Sequence, residues 1–162
     1  MNTLKTSNLS ILAIPTYYIL ALFPHAYALN VATGGKPTKW DNRCPRSTTL
    51  KARLKERLSE YDFARYERSE ACSANLYENL PLFASAVIVG NMTGLKKEGW
   101  NGLNAFAGMY LTLRAIYALA YIGIDHNKLS ALRTSLWAAS WVLCFRIFGQ
   151  AAKKLGSKGV SL

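Results

Sequence analysis

Acidic residues are scarce in this chain: 9 Asp plus Glu stand against 20 Lys plus Arg in 162 residues, a formal net charge of +11. Cysteine is scarcer. Three thiols, Cys44, Cys72 and Cys144, form no Cys-x-x-Cys, cannot staple a small secreted fold and read as free. The two histidines, His25 and His126, lie far apart without ligand spacing, so no metal centre is expected. No phosphate-binding glycine loop, Gly-x-Ser-x-Gly elbow or dinucleotide fingerprint is present, which removes the commonest nucleotide and hydrolase chemistries. There is no internal repeat and no low-complexity tract. What the chain does have is apolar content, 51% of residues, which excludes disorder, and a length that fits one domain over 1–162.

The apolar residues are unevenly spread. A mean hydropathy of +0.05 hides the fact that 16 of 29 charged residues fall between Val31 and Ala71. Outside that stretch lie four segments of 22 or 24 residues, 9–30, 72–95, 103–124 and 129–150. At about 1.5 Å per residue each matches a hydrocarbon core roughly 30 Å thick. Their runs are continuous rather than alternating, which excludes a barrel and leaves helices, the form that satisfies its own backbone in lipid. The fold class that follows is all-α, a four-span integral membrane bundle. The second segment is the weakest, because Asn75, Glu78, Asn79 and Pro81 crowd its start. Burial against other helices explains them better than a soluble helix does, since the soluble reading strands three other apolar segments in water.

The first segment has a rival reading. Lys5, the apolar run Ile11 to Phe23 and the small residues Ala26-Tyr27-Ala28 imitate a secretory signal peptide, whereas Pro24 and His25 extend the run beyond a compact apolar region and favour a span. Pro15 and Pro24 predict a kinked helix whose freed carbonyls find partners on other helices or water. In the charged segment Gly34, Gly35 and Pro37 mark a turn and Trp40 to Arg46 reads as an ordered loop. From Ser47 onward Leu50, Leu54, Leu58 and Tyr61 recur at helical spacing, predicting an amphipathic helix on the membrane surface or leading into the second span.

With four spans, the long loop and the short Asp125 to Lys128 loop share one side and carry 11 basic residues, against 6 for the remaining tails and loop. Positive-inside bias places the long loop in the cytoplasm. The basic excess then needs no nucleic acid, because it is interspersed with acids beside the spans and suits anionic membrane lipid.

In that orientation six polar groups from three helices lie toward one leaflet: Asn75 and Glu78, then Arg114, Tyr117 and Tyr121, then Arg133. Arg114, Tyr117 and Tyr121 stand at i, i+3 and i+7, and Arg68, Asn75 and Glu78 at i, i+7 and i+10, so each trio shares a helical face. Polar residues are costly inside a membrane, and a site for something polar is the default explanation. Each has a plainer one: a structural Glu78–Arg114 ion pair, interfacial tyrosines, an Arg133 that snorkels to headgroups. One pair does not account for the whole set. Asn8-Leu-Ser10 and Asn91-Met-Thr93 match the glycosylation tripeptide close to a bilayer. Arg146, deep in the fourth span, has no evident partner.

At these residues the sequence resembles the MAPEG family, the membrane-associated proteins of eicosanoid and glutathione metabolism. Arg68 to Phe83 is similar to the family's Asn-x-x-Glu-Asn-x-Pro-x-Phe signature, Arg114-Ala-Ile-Tyr117-Ala-Leu-Ala-Tyr121 looks like its Arg-x-x-Tyr-x-x-x-Tyr pattern, and Leu132 to Trp137 resembles the opening of its fourth helix. The resemblance implies a homotrimer of four-helix protomers in the endoplasmic reticulum, with glutathione bound between protomers. It implies that Asn75 and Glu78 hold the glutathione backbone and amine, that Arg114, Tyr117 and Tyr121 line its site, that Arg133 faces the thiol, and that Arg43 or Arg46 reaches a neighbouring protomer's glutathione. Two positions depart from the pattern: Ala71 and Ser73 stand where many members carry Arg and His or Gln, and Arg68, on the same face, is the candidate to substitute for the lost arginine.

The chemistry implied is a membrane glutathione transferase or peroxidase-like reaction. A free thiol has a pKa near ~8.5 and is only a few per cent thiolate at neutral pH. Arg133 would favour the thiolate, Tyr117 or Tyr121 would donate a hydrogen bond, and a lipophilic electrophile would arrive from the bilayer. A glutathione-assisted isomerase and a non-catalytic lipid-binding or lipid-presenting protein are the other readings.

Overall fold

The computed structural model describes residues 8–125 and 130–159; His126, Lys128, Lys5 and Leu129, the first residue of the fourth expected span, lie outside them. The regular structure of the described residues is all helical, without a strand: α1 Leu9–Thr33, α2 Thr48–Arg57, α3 Glu60–Met92, α4 Leu103–Gly123 and α5 Ser130–Gly159, with a single 3-10 turn at Pro37–Lys39. The four long helices pack on one another: α3 touches α1, α4 and α5, and α4 touches α1 and α5.

Boundaries differ from the sequence reading for physical reasons. α1 runs to Thr33 because Gly34, at φ 60°, supplies the left-handed residue that closes a helix C-terminus. α3 starts at Glu60, twelve residues ahead of the expected span, and no continuous helix links Ser47 to it. Instead α2 ends at Arg57, Leu58 is extended, and the Ser59 hydroxyl accepts a hydrogen bond from the Asp62 N–H at 3.1 Å. Ser59-x-x-Asp62 is the capping signal that the run of apolar periodicity obscured. Tyr61 consequently does not extend the buried stripe of α2 and is 62% exposed.

The core is aromatic where α1, α3 and α4 meet. Phe83 and Tyr110 stack at 4.2 Å between ring centroids with planes 9° apart, and Tyr17 meets both rings edge-on. The Tyr17 hydroxyl donates to the Leu76 carbonyl at 2.8 Å, and Ser73 donates to the Ala21 carbonyl at 2.8 Å, close to Pro24. α1 is thereby an integral part of the packing. Gly90 lets α3 approach its neighbours: a Cβ there would stand 2.6 Å from Leu103 Cδ2 and 3.2 Å from Ile147 Cγ2.

A second, smaller cluster seats α2. Leu54 is buried with Ala28, Ala32 and Tyr66, with Leu50, Leu58, Phe63 and Trp40 around them. Full burial of one such leucine stabilises by roughly 1.5–3 kcal/mol. The basic face of α2 stays outward, tied down by Lys51–Glu67 at 2.6 Å.

The opposite end of the molecule is held by a polar clasp. Asn8 Nδ2 donates to Asn91 Oδ1 at 2.6 Å, Asn91 Nδ2 to Ser10 Oγ at 3.0 Å, the Ser10 N–H to Asn104 Oδ1 at 3.1 Å and Asn104 Nδ2 to Glu98 Oε1 at 2.9 Å. Arg146 has a partner there after all, donating to Asn101 Oδ1 at 2.6 Å.

Among the described residues α1 and α4 are long and apolar enough to cross a bilayer. Leu12, Ile19 and Phe23 lie exposed on α1 and Ile116 and Leu119 on α4, an outward apolar surface that lipid would cover. α3 and α5 are longer helices with charged stretches at one end, and two of the four expected spans thus meet that measure of length and hydropathy.

Candidate functional site

α3, α4 and α5 converge on one cavity of about 410 Å³, lined by Asn75 from α3, Tyr117 and Tyr121 from α4, and Arg133, Thr134 and Trp137 from α5. The Arg133 guanidinium lies 4.8 Å from the centroid of the Tyr121 ring, within cation–π range, and Tyr121 meets Tyr117 with ring centroids 5.4 Å apart. Four residues singled out from the sequence on three separate helices therefore share one space. Helical spacing is what brings them there: Tyr117 and Tyr121 are four apart, as are Arg133 and Trp137, so each pair projects from one face.

A neighbouring cavity of about 520 Å³ shares Tyr121 and Arg133 with the first and adds Arg68, Glu70, Ala71, Tyr66 and Arg46. Arg68 reaches across to α4, its Nε donating to the Ile122 carbonyl at 3.3 Å. That carbonyl is among the last four of α4, which have no partner within their own helix, so the arginine caps α4 while it lines the cavity. Burial, and then the nearby Glu70 and Glu67, push the Tyr66 hydroxyl up from its ordinary pKa.

Glu78 faces elsewhere. It is exposed and lines a third cavity, about 940 Å³, between α1 and α3, together with His25, Arg46, Glu70, Ala71 and Tyr77. Asn75 and Glu78 thus open on different sides of α3, and the Glu78–Arg114 ion pair of the plainer reading does not form.

Arg114 is the residue whose surroundings differ most from the reading of the sequence. It is 0% exposed and lines none of these three cavities, lying inside the packed helices. Its guanidinium carbon stands 5.5 Å from the Tyr110 ring centroid and 5.3 Å from that of Tyr117. Nε, Nη1 and Nη2 have no hydrogen-bond acceptor in good geometry among the described residues. Arg43 is also apart: it is exposed, closed onto Asp41 with Nε to Oδ1 at 3.1 Å and Nη2 to Oδ2 at 3.2 Å, and lines none of the three cavities. These hydrogen bonds hold the Asp41 carboxyl below the usual carboxylate range and raise Arg43. Arg46, three residues on, lines two cavities.

The departures at Ala71 and Ser73 have structural counterparts. Ala71 lines both of the two larger cavities. Ser73 is buried, its hydroxyl committed to α1. Two contacts had no local signal in the sequence. Asn79, buried on α3, accepts a hydrogen bond from Trp141 Nε1 at 2.6 Å and donates to the Asn75 carbonyl at 2.8 Å, fixing the backbone beneath the first cavity. His25 Nδ1 lies 2.7 Å from Glu70 Oε1, a pair 45 positions apart. Among the described residues no group of three or more His, Cys, Asp or Glu side chains is placed to hold a metal. Cys44 is exposed and Cys72 and Cys144 are buried, all three free.

A model of the MAPEG family matches residues 11–153, most of the chain and all three of these cavities. No curated protein and no solved structure matches it.

Proposed function

The chain belongs to the MAPEG family, and from that premise we propose that it is a membrane-embedded glutathione transferase or peroxidase-like enzyme, working as a homotrimer of the endoplasmic reticulum with its long loop in the cytoplasm. The observation that carries the reading is the cavity in which Asn75, Tyr117, Tyr121 and Arg133 meet from three helices. These residues fit a thiol peptide. Asn75 offers an amide to its backbone, Arg133 a fixed positive charge and the tyrosines hydroxyl donors. In this site glutathione is the substrate that brings the sulfur nucleophile.

Arg133 brings a guanidinium to this cavity, a group that carries a fixed positive charge in proteins. Beside Tyr117, Tyr121 and Trp137 the charge favours the anionic form of a nearby thiol. Each unit by which the thiol pKa falls corresponds to about 1.4 kcal/mol of differential interaction. A phenol hydrogen bond from Tyr117 or Tyr121 then steadies either the sulfur or the oxygen of an electrophile arriving from lipid, such as an epoxide, enone or lipid hydroperoxide.

The test is an ultraviolet thiolate difference spectrum of the detergent-purified protein titrated with glutathione, for wild type and Arg133→Ala. A saturable band in wild type alone is the expected result; an unchanged band in Arg133→Ala removes the arginine from the mechanism. The commitment of Ser73 to α1 favours one other reading, a non-catalytic lipid binder of the same fold. In that case glutathione leaves the melting temperature unchanged, whereas the enzyme is stabilised by its substrate.

A further inference from the structure

Asn75 is half-buried and lines the thiol cavity, where a carboxamide can offer a ligand either its oxygen or its NH2 group. Asn79, one turn further along α3, is buried, and its own amide is held at both ends. Trp141 on α5 donates from Nε1 to Asn79 Oδ1 at 2.6 Å, and Asn79 Nδ2 donates to the Asn75 carbonyl at 2.8 Å. An indole nitrogen only donates and a peptide carbonyl only accepts, so these two partners leave the Asn79 amide one orientation.

The same Asn79 Nδ2 stands 3.5 Å from Asn75 Oδ1. The contact is long, yet its polarity is decided: turned over, the Asn75 amide would set its NH2 against another NH2, donor on donor. Asn75 Oδ1 is thus engaged by Asn79, and Asn75 Nδ2, which has no partner among the described residues, keeps its two N–H donors. Trp141 and Asn79 line none of the three cavities described above. Whatever they do for a ligand is done through residues that do.

We propose that Trp141 and Asn79 are positioning residues: the indole N–H fixes Asn79, Asn79 fixes the Asn75 carboxamide, and the thiol cavity is thereby set to receive a hydrogen-bond acceptor on Asn75, a carbonyl or carboxylate oxygen. This rests on the glutathione reading of that cavity, since a peptide supplies such oxygens. Loss of the relay costs affinity and leaves thiol activation alone, because Arg133 takes no part in it.

The experiment measures glutathione affinity and the pH midpoint of the bound thiol from the thiolate band in detergent. It compares wild type, Trp141→Phe and the double variant Asn79→Leu, Trp141→Phe, each with Asn75 and with Asn75→Leu, together with Asn75→Asp. Removing both partners of the buried bond orphans no polar group, so the double variant is expected to fold; Trp141→Phe, the milder change, repeats the test without touching α3. Both are expected to weaken binding about fivefold, as loss of an uncharged hydrogen bond does, with the pH midpoint unchanged. In the Asn75→Leu background neither should cost anything further, the mark of residues that act through one another and not of general loosening. Asn75→Asp, which has acceptors only, should bind no better than Asn75→Leu. Wild-type affinity in the double variant, an undiminished loss once Asn75 is leucine, or wild-type affinity in Asn75→Asp each overturns this proposal and leaves the glutathione reading standing. No saturable thiolate band in the wild type overturns both.

Discussion

Replacing Arg114 with methionine should make the protein more stable, although it removes the largest fully buried side chain of α4. The guanidinium is 0% exposed and its three nitrogens have no acceptor in good hydrogen-bond geometry among the described residues, the Tyr110 hydroxyl being near enough only for a weaker interaction, so folding takes a charge out of water with little hydrogen bonding in return. An unpaired buried ion costs several kcal/mol even after relaxation. The opposing gain is the attraction of the Tyr110 and Tyr117 rings, at 5.5 and 5.3 Å, each worth about 0.5–2 kcal/mol. The balance favours an unbranched apolar chain of similar length by about 1–4 kcal/mol. For a chain of this size that is a rise in melting temperature on the order of 5 °C. Thermal unfolding of wild type and Arg114→Met in the same detergent measures it. A variant that melts several degrees lower would show that the guanidinium has an acceptor in the working protein, and the desolvation penalty assigned to it would be wrong.

Two glycines in long helices should respond with opposite signs. Gly90→Ala places a Cβ 2.6 Å from Leu103 Cδ2 and should lower stability by about 1–3 kcal/mol, whereas Gly108→Ala meets nothing within 4 Å and should raise it by roughly 0.5–1 kcal/mol; equal melting shifts would contradict the packing described. The Asp41 carboxyl, lowered by its hydrogen bonds from Arg43, should titrate below the ordinary ~3.9 in carbon NMR and return toward it in Arg43→Gln. Because the folded value is depressed, this contact supports the loop above the unfolded pKa and is lost as pH falls through the folded one; identical midpoints in the two proteins would count against it.

Much of the molecule was legible in the sequence where the signal was local. Unbroken apolar runs placed α1 and α4 to within three residues at each end. Spacing on one face likewise placed Tyr117 with Tyr121, and the orientation of the spans brought Asn75 and Arg133 to the same end. What was hidden depends on how one helix is rotated against another, which periodicity does not encode. Asn75 and Glu78 are three apart, yet rotation of α3 sends one toward α5 and the other toward α1. Arg114 falls on the face of its tyrosines but too far toward the core to reach a cavity. His25–Glu70, Trp141–Asn79 and Arg146–Asn101 join residues at least 45 positions apart, with no local pattern to announce them. The break at Ser59 did have a signal, the serine followed three residues later by an acid, masked by leucines recurring across it.

The clasp of Asn8, Ser10, Asn91 and Asn104 bears on the timing of events during synthesis. A glycan attaches through the amide nitrogen of asparagine, and both acceptor tripeptides have that nitrogen engaged: Asn8 donates to Asn91, and Asn91 donates to Ser10 and to the Val87 carbonyl. The hydroxyl of Thr93, third member of its tripeptide, is likewise turned onto the Val89 carbonyl. A glycosylated amide keeps one N–H, so sugar on Asn91 removes one of its two hydrogen bonds, to Ser10 on α1 or to the Val87 carbonyl, whereas Asn8 can keep its single one; sugar transfer to Asn91 therefore competes with the complete clasp. Carbohydrate found on Asn91 would mark a chain intercepted before the clasp had closed, and its abundance would serve as a clock for how quickly α1 and α3 meet.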